Sequence, residues 1–187
     1  MISKKSLRRE FKEMRQLMDR HERKECDRLI TESFLTSNAY AENGVLLSYV
    51  STDIEVDTYS IIDKALNDGK RVYVPKCYEG SIMRFFRIFA FSDLAKGYFE
   101  ISEPSGETEE YDGESAVCIV PALSYDPYGG RLGYGMGFYD RFLSANRQLY
   151  TVGLCYESNI MPRLPVDEYD ISVKKIITEV RTIDTEV

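Results

Sequence analysis

The spacing of hydrophobic residues changes along the chain, and each spacing predicts a different kind of element. Near the start, Leu7, Phe11, Met14 and Leu17 recur at helical intervals, with lysine and arginine between them. This pattern predicts an amphipathic N-terminal helix that packs on the rest of the protein and keeps its cations on the exposed edge. A second helix is predicted over residues 23–35.

Short β-rich runs alternate with helical runs in the remainder of the chain. The predicted strands cover residues 44–50, 71–75, 83–89, 116–121, 151–155 and 175–178. Helices are predicted over residues 58–66 and 139–145, with one capped helical turn over residues 92–97. The acidic stretch 102–114 is the one expected to be flexible. Single helices thus separate most of the strands, which is the order typical of a parallel sheet.

This element order predicts an α/β fold with three layers. The sheet is expected to be mostly parallel, with helices on both faces and an N-terminal helical arm. The continuous apolar run 116–121 agrees with this prediction, because a strand covered on both faces carries no polar side. The length of 187 residues fits a single domain over residues 1–187.

Composition excludes several classes of protein. Hydrophobic residues make up 43% of the chain and charged residues 29%, which are ordinary globular proportions. No apolar run approaches the roughly 20 residues of a membrane helix, and the first residues lack the apolar centre of a secretory signal. We therefore expect a cytoplasmic protein without a membrane partner. The cysteines are widely separated and are interpreted as reduced packing residues: Cys26, Cys77, Cys118 and Cys155.

The chain has a single histidine, which limits its chemistry. His21 stands within a charged run and is interpreted as a solvated helix position. Ser-His-Asp triads, Cys-His pairs and zinc sites with several histidines are therefore disfavoured. An enzyme of this composition would work by positioning, by carboxylates and cations, or through a cofactor.

Charge is distributed unevenly over the chain, whose net charge is −7. Residues 1–28 hold ten of the 24 basic residues and six of the 31 acidic ones. A basic arm of this kind can bind nucleic acid, but interleaved glutamates weaken the basic stripe, so we expect no nucleic-acid partner. Lys4, Lys5 and Arg8 lie one turn apart. They either form a solubilising face or point together at a bound anion.

A glycine-rich loop is the most informative segment. Five glycines fall within residues 129–137, after a predicted strand and before a predicted helix. Glycines permit positive φ and close approach of the backbone, so several N–H groups can point at one anion near a helix N-terminus. The loop is neither a Walker loop nor a dinucleotide fingerprint, and a tight turn without ligand is the alternative. Arg131 and Asp140 favour the anion site, since one offers a phosphate-binding fork and the other an oxygen ligand for Mg²⁺.

These segments together resemble the 5-formyltetrahydrofolate cyclo-ligase family, also called methenyltetrahydrofolate synthetases. Residues 120–141 are similar to the family signature, and residues 4–8 to its N-terminal K-x-x-L-R element. Residues 55–58 resemble the E-x-[DE]-T element and residues 101–104 the I-x-E-P segment. Residues 164–179 resemble the closing block, so the likeness extends over residues 4–179.

The resemblance implies a ring closure that converts 5-formyltetrahydrofolate to 5,10-methenyltetrahydrofolate and depends on ATP and Mg²⁺. ATP would phosphorylate the formyl oxygen, N10 would attack the activated carbon, and ADP and phosphate would be released. Phosphoryl transfer is promoted by alignment and by neutralisation of charge, which suits a chain with one histidine. The implied partners are small molecules alone, and the implied state is a monomer or weak dimer.

The resemblance also implies the residues of the site. Arg131 and Tyr139 would be catalytic, and Asp140 and Asp170 would hold Mg²⁺. The implied ATP-binding residues are Lys4, Lys5, Arg8, Arg131, Gly133, Tyr134, Gly135, Met136, Gly137, Phe138 and Tyr139. The implied folate-binding residues are Leu47, Glu55, Tyr134, Gly135, Met136, Gly137 and Phe138.

Several residues depart from the commonest family pattern. Met136 stands where other members have Lys or Gly, Tyr134 where some have Arg, and Phe138 where Tyr is common. Tyr169 occupies a position where His is frequent, and Asn159 lies in the place of a usual Gln. These departures leave open a non-catalytic folate- or nucleotide-binding protein on the same scaffold. A nucleic-acid-binding module that uses the basic arm is a third hypothesis.

Overall fold

The computed structural model describes residues 3–97 and 101–185. Its helices are α1 (Lys4–Leu17), α2 (Arg20–Leu35), α3 (Asn38–Ala41), α4 (Tyr59–Asn67) and α5 (Phe138–Ala145). Its strands are β1 (Val45–Leu47), β2 (Arg71–Tyr78), β3 (Ile82–Ile88), β4 (Leu94–Lys96), β5 (Ser102–Pro104), β6 (Val117–Val120), β7 (Ser124–Tyr125), β8 (Arg131–Leu132), β9 (Tyr150–Leu154), β10 (Lys175–Ile177) and β11 (Thr182–Asp184).

A seven-stranded sheet organises the fold, in the order β11-β10-β9-β6-β1-β2-β3. The strands from β10 to β2 are parallel, and β11 and β3 add antiparallel edges. In the sheet, β1 lies between β2 and β6, so later strands are added first on one side of β1 and then on the other. Such a change of direction opens a crevice at the carboxyl ends of the strands, where α/β proteins bind their ligands.

The core lies on both faces of this sheet, because successive strand residues point to opposite sides. Leu46 packs on one face with Ile30 of α2 and Ile61 of α4. Leu47 packs on the other face with Leu143 of α5. The prediction of a three-layer, mostly parallel α/β fold with helices on both faces is therefore confirmed.

The N-terminal helix packs across the carboxyl edge of the sheet. Leu7 and Phe11 form a small core with Leu123, Leu132 and Leu164. The helix begins at a good cap, since the Ser3 hydroxyl accepts a hydrogen bond from the Ser6 amide. The predicted apolar stripe ends early, because Met14 is 39% exposed and Leu17 is 85% exposed.

Two predictions about the middle of the chain are wrong. Residues 92–97 form a short 3₁₀ turn followed by β4, because Leu94–Lys96 pair with Ser102–Pro104 of β5. The acidic stretch 102–114 is also held in place along much of its length. Its first residues form β5, and the backbone amide of Tyr111 donates to the carbonyl of Phe85 on β3. Among the described residues, no helix has both the length and the apolar character needed to cross a bilayer.

Candidate active site

A cavity of about 670 Å³ lies at the carboxyl edge of the parallel strands. Tyr49 and Val50 line it directly after β1, Pro75 and Cys77 on β2, and Pro121 directly after β6. It therefore occupies the crevice that the strand order produces. The N-terminal half of α1, the glycine loop and residues 167–171 complete its wall.

The first part of the glycine loop has a structural role. Asp126 holds a turn between β7 and β8, because its Oδ1 accepts hydrogen bonds from the amides of Tyr128 at 3.0 Å and Gly130 at 2.9 Å. A Cβ on Gly129 would lie 2.5 Å from the carbonyl oxygen of Val173, so only glycine fits there. The idea that amides from residue 129 onward hold an anion is thus wrong for Gly130, whose amide is already used.

The second part of the loop, residues 133–137, does line the cavity. Gly135 has a φ of 103° and Gly137 a φ of 68°, which glycine adopts readily. Gly137 caps the N-terminus of α5. A Cβ on Gly135 would lie 3.2 Å from Cζ of Arg8, so the glycine lets the Arg8 guanidinium lie against the loop. Arg8 Nε also donates to the carbonyl of Gly133 at 2.9 Å.

Cations and carboxylates alternate at one end of the cavity. Lys4 Nζ contacts the carboxylates of Asp167 at 2.6 Å and Asp170 at 2.5 Å. Arg131 contacts Oδ1 of Asp140 at 2.5 Å, and its Nε donates to the carbonyl of Ile171 at 3.1 Å. These bonds join α1, the glycine loop and residues 167–171 into one polar cluster, which we call the charged end. It consists of Lys4, Arg8, Arg131, Asp140, Asp167 and Asp170.

The ion pair between Lys4 and Asp170 fixes the charge of both groups. Partial burial opposes ionisation of Asp170, but the hydrogen bonds from Lys4 and from the Asp167 amide, together with the charges of Lys4 and Arg131, outweigh it and hold the carboxyl pKa below its ordinary value. Burial likewise opposes the charge on Lys4, and the hydrogen bonds to Asp167 and Asp170 outweigh it and raise the pKa of the ammonium. Both groups are therefore charged across the neutral range.

Glu55 and Tyr134 meet at another part of the lining. Glu55 Oε2 accepts from both the amide and the hydroxyl of Thr52, each at 2.9 Å, which stabilises the loop after β1. Burial raises the pKa of Tyr134 well above its ordinary value, and the Glu55 carboxylate and its hydrogen bond with the phenol add to this. The phenol therefore stays protonated and acts as a hydrogen-bond donor.

Tyr139 also lines the cavity, and its hydroxyl is buried without a hydrogen-bond partner among the described residues. Its ring packs edge-on against Phe85. Burial holds the pKa of this phenol well above its ordinary value, and nearby Cys118 and Glu55 act in the same direction. Tyr139 is therefore a neutral phenol whose donor is not used by any described residue.

The cavity brings together most of the residues predicted from the sequence. Lining residues from that set are Lys4, Arg8, Glu55, Arg131, Gly133, Tyr134, Gly135, Met136, Gly137, Phe138, Tyr139, Asp140 and Asp170. Two predicted residues lie elsewhere. Leu47 is fully buried in the core on β1, and Lys5 is exposed on α1 and is not among the cavity-lining residues. Leu47 therefore helps to pack the sheet beneath the pocket and does not line the pocket itself.

This geometry agrees with what comparisons with known proteins show. A model of the 5-formyltetrahydrofolate cyclo-ligase family matches residues 1–179 of the chain. The chain belongs to this family. A probable 5-formyltetrahydrofolate cyclo-ligase of Caenorhabditis elegans is 31% identical, with 96% of this chain and 94% of the relative aligned. The enzyme of Escherichia coli K12 is 35% identical over 70% of this chain and 75% of its own length.

Solved structures of the same family share the fold. The NMR structure of 5,10-methenyltetrahydrofolate synthetase from Aquifex aeolicus superposes with a TM-score of 0.87 at 27% identity, covering 100% of this chain and 94% of the other. The synthetase of Mycoplasma pneumoniae superposes with a TM-score of 0.74 at 20% identity, which speaks for the fold alone. The chain is therefore a cyclo-ligase, and its cavity is the candidate active site of that enzyme.

Sequence reasoning missed one wall of the cyclo-ligase cavity. This wall comes from β2, β3, β5 and the residue that precedes β5, and it consists of Pro75, Cys77, Met83, Ile101 and Glu103. The I-x-E-P segment marked part of it, but nothing local indicated that Glu103 faces a cavity. Sequence reasoning also missed Arg15, whose side chain is 2% exposed beneath the site.

The cysteines of the cyclo-ligase are expected to resist alkylation. Burial raises the thiol pKa to about 11 for Cys26 and to about 12 for Cys77, Cys118 and Cys155. At pH 8 the thiolate fraction of Cys77, whose side chain reaches the cavity, is then about a thousandfold below that of an ordinary thiol. We expect iodoacetamide to react with Cys77 more slowly than it reacts with glutathione, by a similar factor. Mass spectrometry follows the labelling. Labelling of Cys77 at the glutathione rate would contradict the prediction.

Proposed function

We propose that this cyclo-ligase closes the ring of 5-formyltetrahydrofolate to 5,10-methenyltetrahydrofolate, using ATP with Mg²⁺ and releasing ADP and phosphate. One observation carries the proposal. A single cavity in a member of this family joins the charged end to a largely apolar wall large enough for a flat ring. Phosphate groups suit the first part and a reduced pterin suits the second.

The charged end supplies what phosphoryl transfer requires. Lys4, Arg8 and Arg131 are three cations from two distant segments that line the same end of the cavity. Such groups neutralise the negative charge that develops on the phosphoryl oxygens, and they are already oriented by protein contacts before substrate binds. The N-terminus of α5 adds its positive end at the glycine loop.

The acidic residues fit Mg²⁺ that arrives with a nucleotide. Among the described residues, no group of three or more His, Cys, Asp or Glu side chains forms a cage for a metal. Mg²⁺ in nucleotide sites uses one or two carboxylates together with phosphate oxygens and water, so Asp140 and Asp170 are a suitable pair. When bound, the ion would help neutralise the negative charge of the phosphate groups. Arg131 and the amide of Ile171 both bind Oδ1 of Asp140, which orients this carboxylate.

The donors around the cavity have separate roles in this proposal. Arg131 would stabilise the transferring phosphoryl group, and the protonated Tyr139 would donate to an oxygen acceptor of the substrate. Glu55, with Tyr134, would contact the pterin. Residues 133–137, which line the cavity, would lie between the two substrates.

Formation of the methenyl product tests the proposed function directly. The purified protein, ATP, Mg²⁺ and 5-formyltetrahydrofolate should together produce the near-ultraviolet absorbance of the product. Reactions that lack ATP, Mg²⁺ or the folate serve as controls and should remain flat. No product at stoichiometric protein would reject the proposal, while folate or ATP binding without ADP release would favour a non-catalytic protein.

Replacing Asp140 with asparagine should raise the Mg²⁺ requirement. The change removes a charged oxygen ligand, so we expect the Mg²⁺ concentration for half-maximal rate to rise about tenfold or more. Titration of the rate with Mg²⁺ at fixed ATP measures this, and saturating Mg²⁺ should restore part of the activity. Asp167→Asn is the matched control, because Asp167 also pairs with Lys4 but is not a proposed ligand. Equal Mg²⁺ titrations of the wild type and Asp140→Asn would exclude Asp140.

The remaining expectations concern assembly and partners. We propose that residues 1–187 act as one domain, as a cytoplasmic monomer or weak dimer whose partners are small molecules and not nucleic acids. Size-exclusion chromatography with light scattering tests the assembly. A nucleic-acid complex whose affinity falls steeply with salt would contradict the last expectation.

A further inference from the structure

The loop that carries Glu55 reaches the cavity between two regular elements. Residues 48–58 connect β1 to α4 as an irregular loop, and Thr52 and Glu55 of this loop line the cavity. An irregular loop takes up several conformations unless other parts of the protein bind its backbone groups. The contacts made by this backbone therefore decide how well the Glu55 carboxylate is oriented.

Side chains from outside the loop hold its backbone near Glu55. Arg23 of α2 donates through Nη1 to the carbonyl of Asp53. The hydroxyl of Tyr156, which follows β9, lies 3.3 Å from the carbonyl oxygen of Glu55 itself. Both contacts act on the main chain of the loop and not on the Glu55 carboxylate, which lines the cavity.

Asp27 of α2 is the centre of this arrangement. Its Oδ1 accepts hydrogen bonds from the Tyr156 hydroxyl at 2.9 Å and from the Asp57 amide at 3.2 Å. The carboxylate of Asp57 in turn accepts from the amides of Tyr59 and Ser60 in the first turn of α4. One carboxylate oxygen thus connects α2, the segment after β9 and the end of the loop.

Burial makes these hydrogen bonds selective for one conformation of the loop. Tyr156 is fully buried and Asp27 is half-buried. Burial raises the pKa of the Tyr156 phenol well above its ordinary value, and the charge of Asp27 and the hydrogen bond to it act in the same direction, so the phenol remains a donor. A buried hydroxyl or carboxylate without a partner is costly, and loop conformations that break these bonds are disfavoured.

The Glu55 carboxylate is restrained in a second way from within the loop. Thr52 donates two hydrogen bonds to its Oε2, and Tyr134 bonds to the same carboxylate. The main chain and the side chain are therefore fixed separately, which lowers the entropy lost when a ligand binds. We propose that Tyr156 and Asp27 are positioning residues that hold the Glu55 carboxylate in the orientation in which it contacts the pterin. This inference rests on the proposed function, since it assumes a reduced folate as substrate.

Tyr156→Phe tests the positioning role, because it removes the hydroxyl and keeps the buried ring. We expect the dissociation constant for 5-formyltetrahydrofolate, measured by calorimetry, to rise about tenfold. The dissociation constant for ATP should stay near wild type. The matched control is Tyr40→Phe, because the Tyr40 hydroxyl donates to Asp68 at 2.7 Å and Tyr40 lies outside the cavity lining. It loses the same kind of bond and should leave both dissociation constants unchanged.

A double variant shows whether Tyr156 acts through Glu55. Glu55→Ala removes the carboxylate, so the position of the loop no longer matters for this contact. In that background, Tyr156→Phe should weaken folate binding by less than twofold, because the two effects are coupled. An undiminished tenfold loss would assign Tyr156 another route of action and overturn the inference.

Variants of Asp27 keep the inference testable if Tyr156→Phe does not fold. Asp27→Ala removes the acceptor for both the Tyr156 hydroxyl and the Asp57 amide, and it should weaken folate binding about tenfold. Asp27→Asn keeps an oxygen acceptor and should restore most of the affinity. Equal losses in the two variants, or none in either, would contradict the assigned role.

Hydrogen exchange measures the orientation of Glu55 without any ligand. The Thr52 amide donates to Oε2 of Glu55 at 2.9 Å, so its exchange rate reports whether the carboxylate stays in place. We expect this amide to exchange about tenfold faster in Tyr156→Phe and at the wild-type rate in Tyr40→Phe. An unchanged rate in Tyr156→Phe would overturn the inference.

The binding data also separate this inference from the proposed function. If wild type itself fails to bind 5-formyltetrahydrofolate, the proposed function falls together with this inference. If wild type binds it and Tyr156→Phe binds within twofold as well, only this inference fails. An equal loss of folate and ATP affinity in Tyr156→Phe would indicate a general structural effect and overturn it too.

Discussion

Replacement of Arg131 by alanine is expected to lower kcat/KM for ATP by about 10²- to 10³-fold. The guanidinium is the most buried cation of the charged end, with a side chain only 4% exposed. It is held from two sides, by Asp140 and by the carbonyl of Ile171. Its loss would remove the proposed neutralisation of phosphate charge and would also release Asp140, the carboxylate proposed to hold Mg²⁺. Steady-state kinetics at saturating Mg²⁺ measure the effect.

Arg131→Lys and Arg163→Ala serve as the comparisons for this result. Lysine keeps the charge but cannot contact Asp140 and Ile171 through a rigid fork, so we expect an intermediate loss. Arg163 stacks over Tyr128 outside the cavity, and its removal should leave the rate near wild type. Because Arg131 also joins two segments, the alanine variant is checked for an intact far-ultraviolet circular dichroism spectrum. Near wild-type kinetics in a folded Arg131→Ala protein would refute the assigned role.

Replacement of Arg15 by methionine is expected to destabilise the protein by about 3 kcal/mol. Arg15 is buried, and one guanidinium nitrogen donates to the carbonyls of Ala122 at 2.7 Å and Leu123 at 3.0 Å. Methionine fills similar space but leaves both carbonyls without this donor. The melting temperature should fall by roughly 6–12 °C for a chain of this length. Thermal and urea unfolding measure the loss.

Arg15→Met should also weaken ATP binding, although residue 15 itself is not expected to contact the substrate. Arg15 ties α1 to the segment after β6, and α1 carries Lys4 and Arg8 into the charged end. We therefore expect KM for ATP to rise in proportion to the undocking of the helix. Arg9→Met is the matched control on the same helix, because the Arg9 side chain is 78% exposed and lies 3.9 Å from Glu13. Equal stability of the Arg15 and Arg9 variants would contradict the anchoring role.

Local patterns in the sequence predicted the layers of the fold but missed some pairings. The strand near Val117–Val120 and the helix near Tyr59–Asn67 follow from short apolar runs and their capping residues. Residues 94–96 have good helix propensity, yet pairing with β5 makes them a strand. That pairing is tertiary, so no local pattern indicates it. The buried positions of α1 are Leu7, Phe11 and Arg15. Because Arg15 is charged, the hydrophobic pattern of the sequence does not show that this third position is buried.

The site was predictable where its residues are neighbours in the chain. The loop around Gly133–Gly137 and the adjacent Asp140 were visible as one segment. The family resemblance placed Leu47 in the pocket, but its side chain packs in the core. Successive residues of a strand point to opposite faces of the sheet, so a strand residue next to the pocket need not line it. Glu103 faces the cavity because β5 lies beside β2, and only the assembled fold shows this.

The ion pair of Lys4 and Asp170 joins residues 166 positions apart. During synthesis, the helix that carries Lys4 leaves the ribosome first, long before its acceptor is translated. A nascent chain therefore lacks the complete charged end until nearly all of it has emerged. If the charged end binds ATP as proposed, nucleotide binding should accordingly mark the end of folding on the ribosome, and a stalled chain that ends before residue 170 should not retain ATP.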